Sequence, residues 1–371
     1  MSRKNKIVAA VIIVAVAVLG VLALSGQKSA SAKPTIKIGV TLPLTGDVAM
    51  LGQSNKNAIL LAQSQLPKNT KYNYELVFED DQFKPAMGAS TANKLISVDG
   101  VSALISFGSP VGNAVSPIAE QNHITHINDF ASDPHVASGT YNFVDYTPAR
   151  QDSKAFIAEL KKRTIHTLVF FGQQDNPGVG AIITTFLADS ANTPEIKVLS
   201  KQMFNTGTTD FRTQIAEVKG LNPDIYVLEA TSPELEILTK QLRQAGIKTP
   251  VTTMEAFEFS SDLSLFEGMW YINGADPMPW FVDLYTKQYG DSPKFGAANG
   301  YDSFNLLVQA AETAGDGKTV PTSTQIGQVL SQIQGFNGAL GMNMSMGADH
   351  LVVSNAVVRM IKNGKPVTIE Q

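Results

Sequence analysis

The residues able to do chemistry are few and sit in loops. Cysteine is absent. That removes thiol catalysis, thiolate metal sites, disulfides and lipid attachment through a leader cysteine. The five histidines are His123, His126, His135, His166 and His350. His123 and His126 straddle a helix end and a strand start, so they share no helical face and make a poor metal pair. Neither G-x-S-x-G nor H-E-x-x-H occurs. The glycines from Gly172 to Gly180 lack the Lys-Ser/Thr of a phosphate loop and the spacing of a dinucleotide fingerprint. They read as a loop whose backbone passes close to another surface. Phe78-Glu79-Asp80-Asp81 ends a strand with three acids. A metal or acid–base role is one use for them; capping the next loop is the simpler one.

Small polar residues at the carboxyl ends of strands are a different signal. Pro43-Leu44-Thr45-Gly46 follows the first strand, Gly108-Ser109-Pro110-Val111-Gly112 the third, and Asp129-Phe130-Ala131-Ser132-Asp133-Pro134 the fourth. In open α/β sheets ligands bind at these ends. N–H groups at a helix start, with a hydroxyl beside them, suit a carboxylate or other anion. Ser109 stands at such a start. Plain helix or turn capping accounts for Ser109 and Ser132 as well.

The elements that must position these loops alternate along the chain. Strands are predicted at Ile36–Leu42, Tyr74–Glu79, Val101–Ser106 and Ile124–Asn128. Between them come helices from about Gln53, over Pro85–Val98, and to about Gln121. After a break the alternation resumes. Helices are predicted at Ala149–Lys162, Gly178–Asp189, Phe211–Lys219 and Pro233–Ala245, and strands at Thr167–Phe171, Ile196–Gln202, Asp224–Leu228 and Val251–Met254. Such alternation implies parallel sheets covered on both faces, and two runs of similar length imply two α/β lobes. Helices Trp280–Tyr289, Ala297–Ala314 and Thr324–Ile333 follow, then a strand over Val352–Ile361 ending at Asn363-Gly364.

The start of the chain sets the compartment. Arg3, Lys4 and Lys6 precede an unbroken apolar run of 18 residues from Ile7 to Leu24, and Ala30-Ser31-Ala32 suits a signal peptidase. Eighteen residues also approach the length that spans a bilayer. Two readings stand: cleavage after Ala32, or an uncleaved anchor through residues 7–24 with its basic end in the cytoplasm. Both place the rest outside the cytoplasmic membrane. Beyond the leader, 25 basic residues face 33 acidic ones, a formal charge of −8. That balance argues against nucleic-acid partners and a polybasic membrane patch. About 340 residues suit two domains.

These residues together resemble a known family. Ile38-Gly39-Val40-Thr41-Leu42-Pro43-Leu44-Thr45-Gly46 with Gly52, Glu79-Asp80-Asp81, Ala92-Asn93-Lys94-Leu95 and Gly108-Ser109 are similar to the type I periplasmic binding proteins, and most to the branched-chain amino-acid binders of ABC transporters. Gln241–Gly246, Glu267-Gly268-Met269, Asn299-Gly300-Tyr301-Asp302, Gly335–Gly341 and Val358–Lys365 extend the likeness over essentially everything after the leader. The resemblance implies two Rossmann-like lobes joined by three crossings, near Asp145–Pro148, Asn273–Asp276 and Ser354–Val357. The first lobe would be 35–146 with 275–354, and the second 147–274 with 355–371. A solute would sit in the cleft and the lobes would close over it.

By that resemblance, Ser109, Ser132 and the carbonyl of Phe130 hold an amino acid's head group, and Glu255 accepts from its ammonium. Leu51 replaces a frequent aromatic, Asn176 or Pro177 and Ser232 replace tyrosines, Phe130 replaces an alanine, and Pro110 lies alongside. The expected function is solute binding for an ABC importer by a monomer without enzymatic activity, metal or cofactor, with permease subunits as partners. A sensor acting through a separate regulatory protein is the alternative. An α/β enzyme using Glu79, Asp80 and Asp81 is a third reading.

Overall fold

A computed structural model of the chain describes residues 33–352 and 355–370. The leader, including the run at 7–24 and the Ala30-Ser31-Ala32 site, lies outside the described residues, as does part of the crossing at Ser354–Val357. Among the described residues no helix is long and apolar enough to cross a membrane.

The first sheet is built from β1 (Thr35–Leu42), β2 (Asn73–Asp80), β3 (Ala103–Ser106), β4 (Thr125–Asn128) and β5 (Asn142–Val144). All pairs are parallel, in the order β2-β1-β3-β4-β5. The second sheet contains β6 (Thr167–Gln173), β7 (Lys197–Phe204), β8 (Ile225–Glu229) and β9 (Val251–Thr252), parallel in the order β7-β6-β8-β9. A parallel bridge from Met254 to Ile272 continues it to β10 (Trp270–Asn273). Antiparallel β11 (Val357–Lys362) and β12 (Lys365–Glu370) follow.

Strand pattern explains placement. Central β3, β4 and β8 are buried throughout, as a parallel sheet covered on both faces requires. Strand β6 divides its apolar residues by the two-residue period: Val169 and Phe171 enter one core, Leu168 and Phe170 the other.

Ten helices cover these sheets among the described residues: α1 (Ala49–Ser64), α2 (Pro85–Ser97), α3 (Ser109–Gln121), α4 (Ala149–Lys162), α5 (Pro177–Ala191), α6 (Arg212–Val218), α7 (Glu234–Gln244), α8 (Pro279–Tyr289), α9 (Ala297–Ala314) and α10 (Ser323–Leu330). One large apolar core joins residues between 36 and 146 to residues between 281 and 352. The cores around the second sheet draw on residues 149–272 and on Val358 and Ile361. The chain therefore leaves the first sheet after β5 and returns to its core from α8 onward.

Some expectations shift. Helix α1 begins at Ala49 rather than near Gln53, because Gly52 lets it start directly against the loop after β1. The strand expected over Val352–Ile361 begins at Val357, with Leu351 and Val352 bridging to Val144 and Met346 instead. Strands β5, β10 and β12 are short or terminal and carried no clear period. Asn363 and Gly364, both at positive φ, close the β11–β12 hairpin as a two-residue turn.

Gly52 is the tightest of these contacts. A Cβ built there would lie 2.1 Å from the carbonyl oxygen of Pro43. In an open helix, Gly→Ala gains up to about 1 kcal/mol. Here backbone overlap reverses the sign, and we expect Gly52→Ala to cost about 1–3 kcal/mol. A thermal melt no lower than that of the wild type would show that the Pro43 loop yields freely.

Candidate functional site

Parallel strands direct their carboxyl ends the same way, so the loops of each sheet gather on one edge, and the two edges face each other. Between them lies a cavity of about 30 Å³, room for about one water. The first sheet contributes Phe83, Gly108, Ser109, Pro110, Phe130 and Ser132. The second contributes Asn176, Gly178, Glu229, Thr231 and the stretch Met254–Ala256 with Phe259.

The walls are joined by one short bond. Ser132 donates its hydroxyl to Glu255 Oε2 at 2.8 Å. Glu255 has φ +78°, a left-handed conformation that costs a residue with a Cβ about 1–3 kcal/mol. Two neighbours hold it there: its N–H donates to the carbonyl of Ile272, and Ala256 N–H donates to Thr253 Oγ1. Just beyond, Glu258 accepts from Tyr271 and Asn273 and pairs with buried Arg359 of β11, pinning the segment that also carries Phe259.

Electrostatics at this wall are one-sided. Glu255 is 3% exposed and Asp152, in the first turn of α4, is fully buried. Burial pushes the Glu255 carboxyl up to about 7, although Ser132, Tyr146 and Asp152 pull it down. Burial, then the charge of Glu255, drives Asp152 well above the usual carboxylate range. Glu229 is raised by the same cause and accepts from Met254 N–H at 2.6 Å.

The remaining expected residues divide. Ser109 opens α3 and accepts from Asp133 N–H at 3.2 Å. A Cβ on Gly178 would lie 2.7 Å from its hydroxyl, so the start of α5 approaches that of α3 closely, and the glycine-containing loop does pass near another surface. Asn176 lines the cavity but spends its side-chain oxygen capping Gly178 and Val179. The ring of Phe130 stacks on Phe107 with centroids 4.4 Å apart and meets Tyr146, Phe259 and Phe295.

Leu51 and Ser232 stand outside the cavity. Leu51 is packed into the first-sheet core because α1 begins before it. Ser232 turns away to Glu236 and to the carbonyl of Phe259. The three acids after β2 act as loop supports. Asp80 accepts from Leu44, Thr45 and Gln82, Asp81 from Thr41 and Phe83, and Glu79 pairs with Lys94. Asp152, Tyr146, Glu229 and Thr231 carried no signal in the sequence. Asp152 reads there as an ordinary acid of a first helical turn, and only the tertiary fold brings it to Glu255.

The pattern shared by periplasmic binding proteins matches residues 35–366. A leucine-, isoleucine-, valine-, threonine- and alanine-binding protein of Pseudomonas aeruginosa is 28% identical over 238 residues. That stretch takes in 61% of this chain and 62% of the relative, less than two thirds of its length. A leucine-binding protein of Thermotoga maritima shares the fold with TM-score 0.81 and 24% identity, over 90% of this chain and 97% of its own. A branched-chain amino-acid transporter substrate-binding protein of Streptococcus pneumoniae, in complex with isoleucine, superposes with TM-score 0.80 and 22% identity, over 91% and 100%.

The raised carboxyls imply a pH dependence whose sign is fixed. Asp81, Glu255 and Asp302 are pushed to about 6, 7 and 7 by burial, so their stabilising protonation is lost as pH rises through those values. Buried His126 is lowered to about 4 by desolvation and opposes this only below about 6.5. We expect the melting temperature of the ligand-free protein to fall between pH 6.5 and 8. A flat or rising profile would mean that these groups are solvated in solution.

Proposed function

The chain belongs to the periplasmic binding proteins, and on that footing we propose that it captures an amine-bearing small solute, amino-acid-like in its head group, for an ABC importer. The bond from Ser132 to Glu255 carries the reading. It joins the two walls through a carboxylate kept in a costly backbone conformation, and such strain is retained where the position has a use. As the lobes part, Glu255 is exposed to solvent. As they close on a solute, an ammonium takes its second oxygen in a desolvated, charge-assisted hydrogen bond. The hydroxyls of Ser109 and Ser132 and the carbonyl of Phe130 complete the first-lobe side. Ligand binding favours the closed arrangement only through contacts absent from the open one.

Several observations support capture for delivery over chemistry or sensing. The acids after β2 are engaged as loop supports. The relatives are named for binding amino acids, and one of the solved structures for serving a transporter. Permease subunits are the partners this role requires, with the protein outside the cytoplasmic membrane and acting as a monomer. The lobe boundaries fit the division of the apolar cores, near residues 146–149 and 273–281.

Glu255→Gln tests the clamp. Calorimetry against a panel of amino acids and small amines should show at least about a tenfold loss for the best ligand, as one hydrogen bond to a charged group implies. The melting temperature at pH 8 should not fall, because a buried charge is removed. Undiminished affinity in the variant would dismiss the role of Glu255.

A further inference from the structure

Two cavities lie between the lobes, and one side chain separates them. The cavity at the strand ends holds about 30 Å³. A second, of about 180 Å³, lies where the chain crosses between lobes, with Tyr146, Gly274, Phe295 and Gly296 among its walls. Phe130 lines the smaller one. Its ring also lies against Tyr146 and Phe295, with centroids 4.8 and 4.6 Å away, and a Cβ on Gly296 would stand 2.8 Å from the ring edge. All three of those neighbours line the larger cavity.

The ring is held from the first-lobe side. It stacks on Phe107, and Phe130 N–H donates to Asn128 Oδ1 at 3.0 Å. Phe107, Phe130 and Tyr146 all belong to the first-sheet core. Phe259 meets the ring from the second lobe. Parting the lobes therefore withdraws Phe259 and leaves Phe130 where it is. Swinging the ring out would forfeit its contacts with Phe107, Tyr146 and Phe295 in a close-packed interior.

The polar groups fix where a solute's head lies. Ser109 accepts from Asp133 N–H and keeps its own O–H to donate to a carboxylate. Ser132 and Glu255 mark the ammonium end. The Phe130 ring lines the same small cavity as these three residues. It stands beside the head group and occupies volume into which a side chain would extend.

We propose that Phe130 limits ligand size: the solute is an amino acid whose side chain is no larger than that of alanine or serine, and the larger cavity behind the ring is closed to it. This rests on the amino-acid-like head group proposed above and adds the side chain. A bulkier side chain must displace a packed ring or hold the lobes apart. Either way it loses contacts that favour the closed arrangement.

Alanine and leucine share the head group and differ in side-chain size alone. In calorimetry with the full chain at neutral pH, alanine should bind at least about tenfold more tightly than leucine, the scale for a methylene that a pocket does not accommodate. Phe130→Ala removes the ring, keeps the backbone carbonyl, and should bring leucine to at least the affinity of alanine. Phe130→Leu retains more of the packing and should narrow the gap in the same direction if the alanine variant fails to fold. Leucine bound as tightly as alanine by the wild type overturns the assignment, as does an unchanged preference in a folded variant at position 130. If that leucine binding is lost in Glu255→Gln, the ammonium clamp survives and only the size limit falls. Binding of neither amino acid overturns both.

Discussion

Glu255 is a buried carboxylate on a left-handed backbone, and the arrangement of the cleft follows from holding it there. Its φ of +78° is unfavourable, and so is its desolvation. Both are tolerated because the neighbouring segment is fixed twice over. Ile272 accepts from Glu255 N–H, extending the second sheet by one bridge, and Glu258 is tied to Tyr271, Asn273 and Arg359. Arg359 belongs to β11, so the last part of the chain supports the residue that meets Ser132 across the cleft.

The first lobe presents its side by close packing rather than by charge. Gly52 brings α1 against Pro43, and Asn55 ties that helix to Asp129 and to the carbonyl of Gly296. Asn128 orders the following loop by donating to Ser106 and Gly108 and accepting from Phe130 N–H. The loop from Asp129 to Pro134 is thereby set at a fixed height over the sheet. Phe130 then fills the space beneath with an aromatic cluster, and Ser132 projects toward Glu255. The cleft that results is polar on one side and ringed by phenyl groups on the other.

Much of this was legible in the chain itself. The alternation of strand and helix, the loops at strand ends and the glycines at 46, 52 and 108 indicated two parallel-sheet units with a site at their edges. Ser109, Phe130, Ser132 and Glu255 meet at one cavity. Leu51 and Ser232 do not, since burial of a helix start and the turn of one hydroxyl depend on neighbours far along the chain.

What the sequence determined by itself was periodic or local: apolar alternation, turn residues, an acidic balance and the absence of cysteine. These follow from the chain's own repeat lengths, 2.0 for a strand and 3.6 for a helix. The tertiary structure alone decided which acids face one another. Asp152 and Glu255 are about a hundred residues apart, on a helix and a loop whose local patterns are unremarkable. Only the packing of α4 beside the second sheet brings their carboxyls together, where burial raises both.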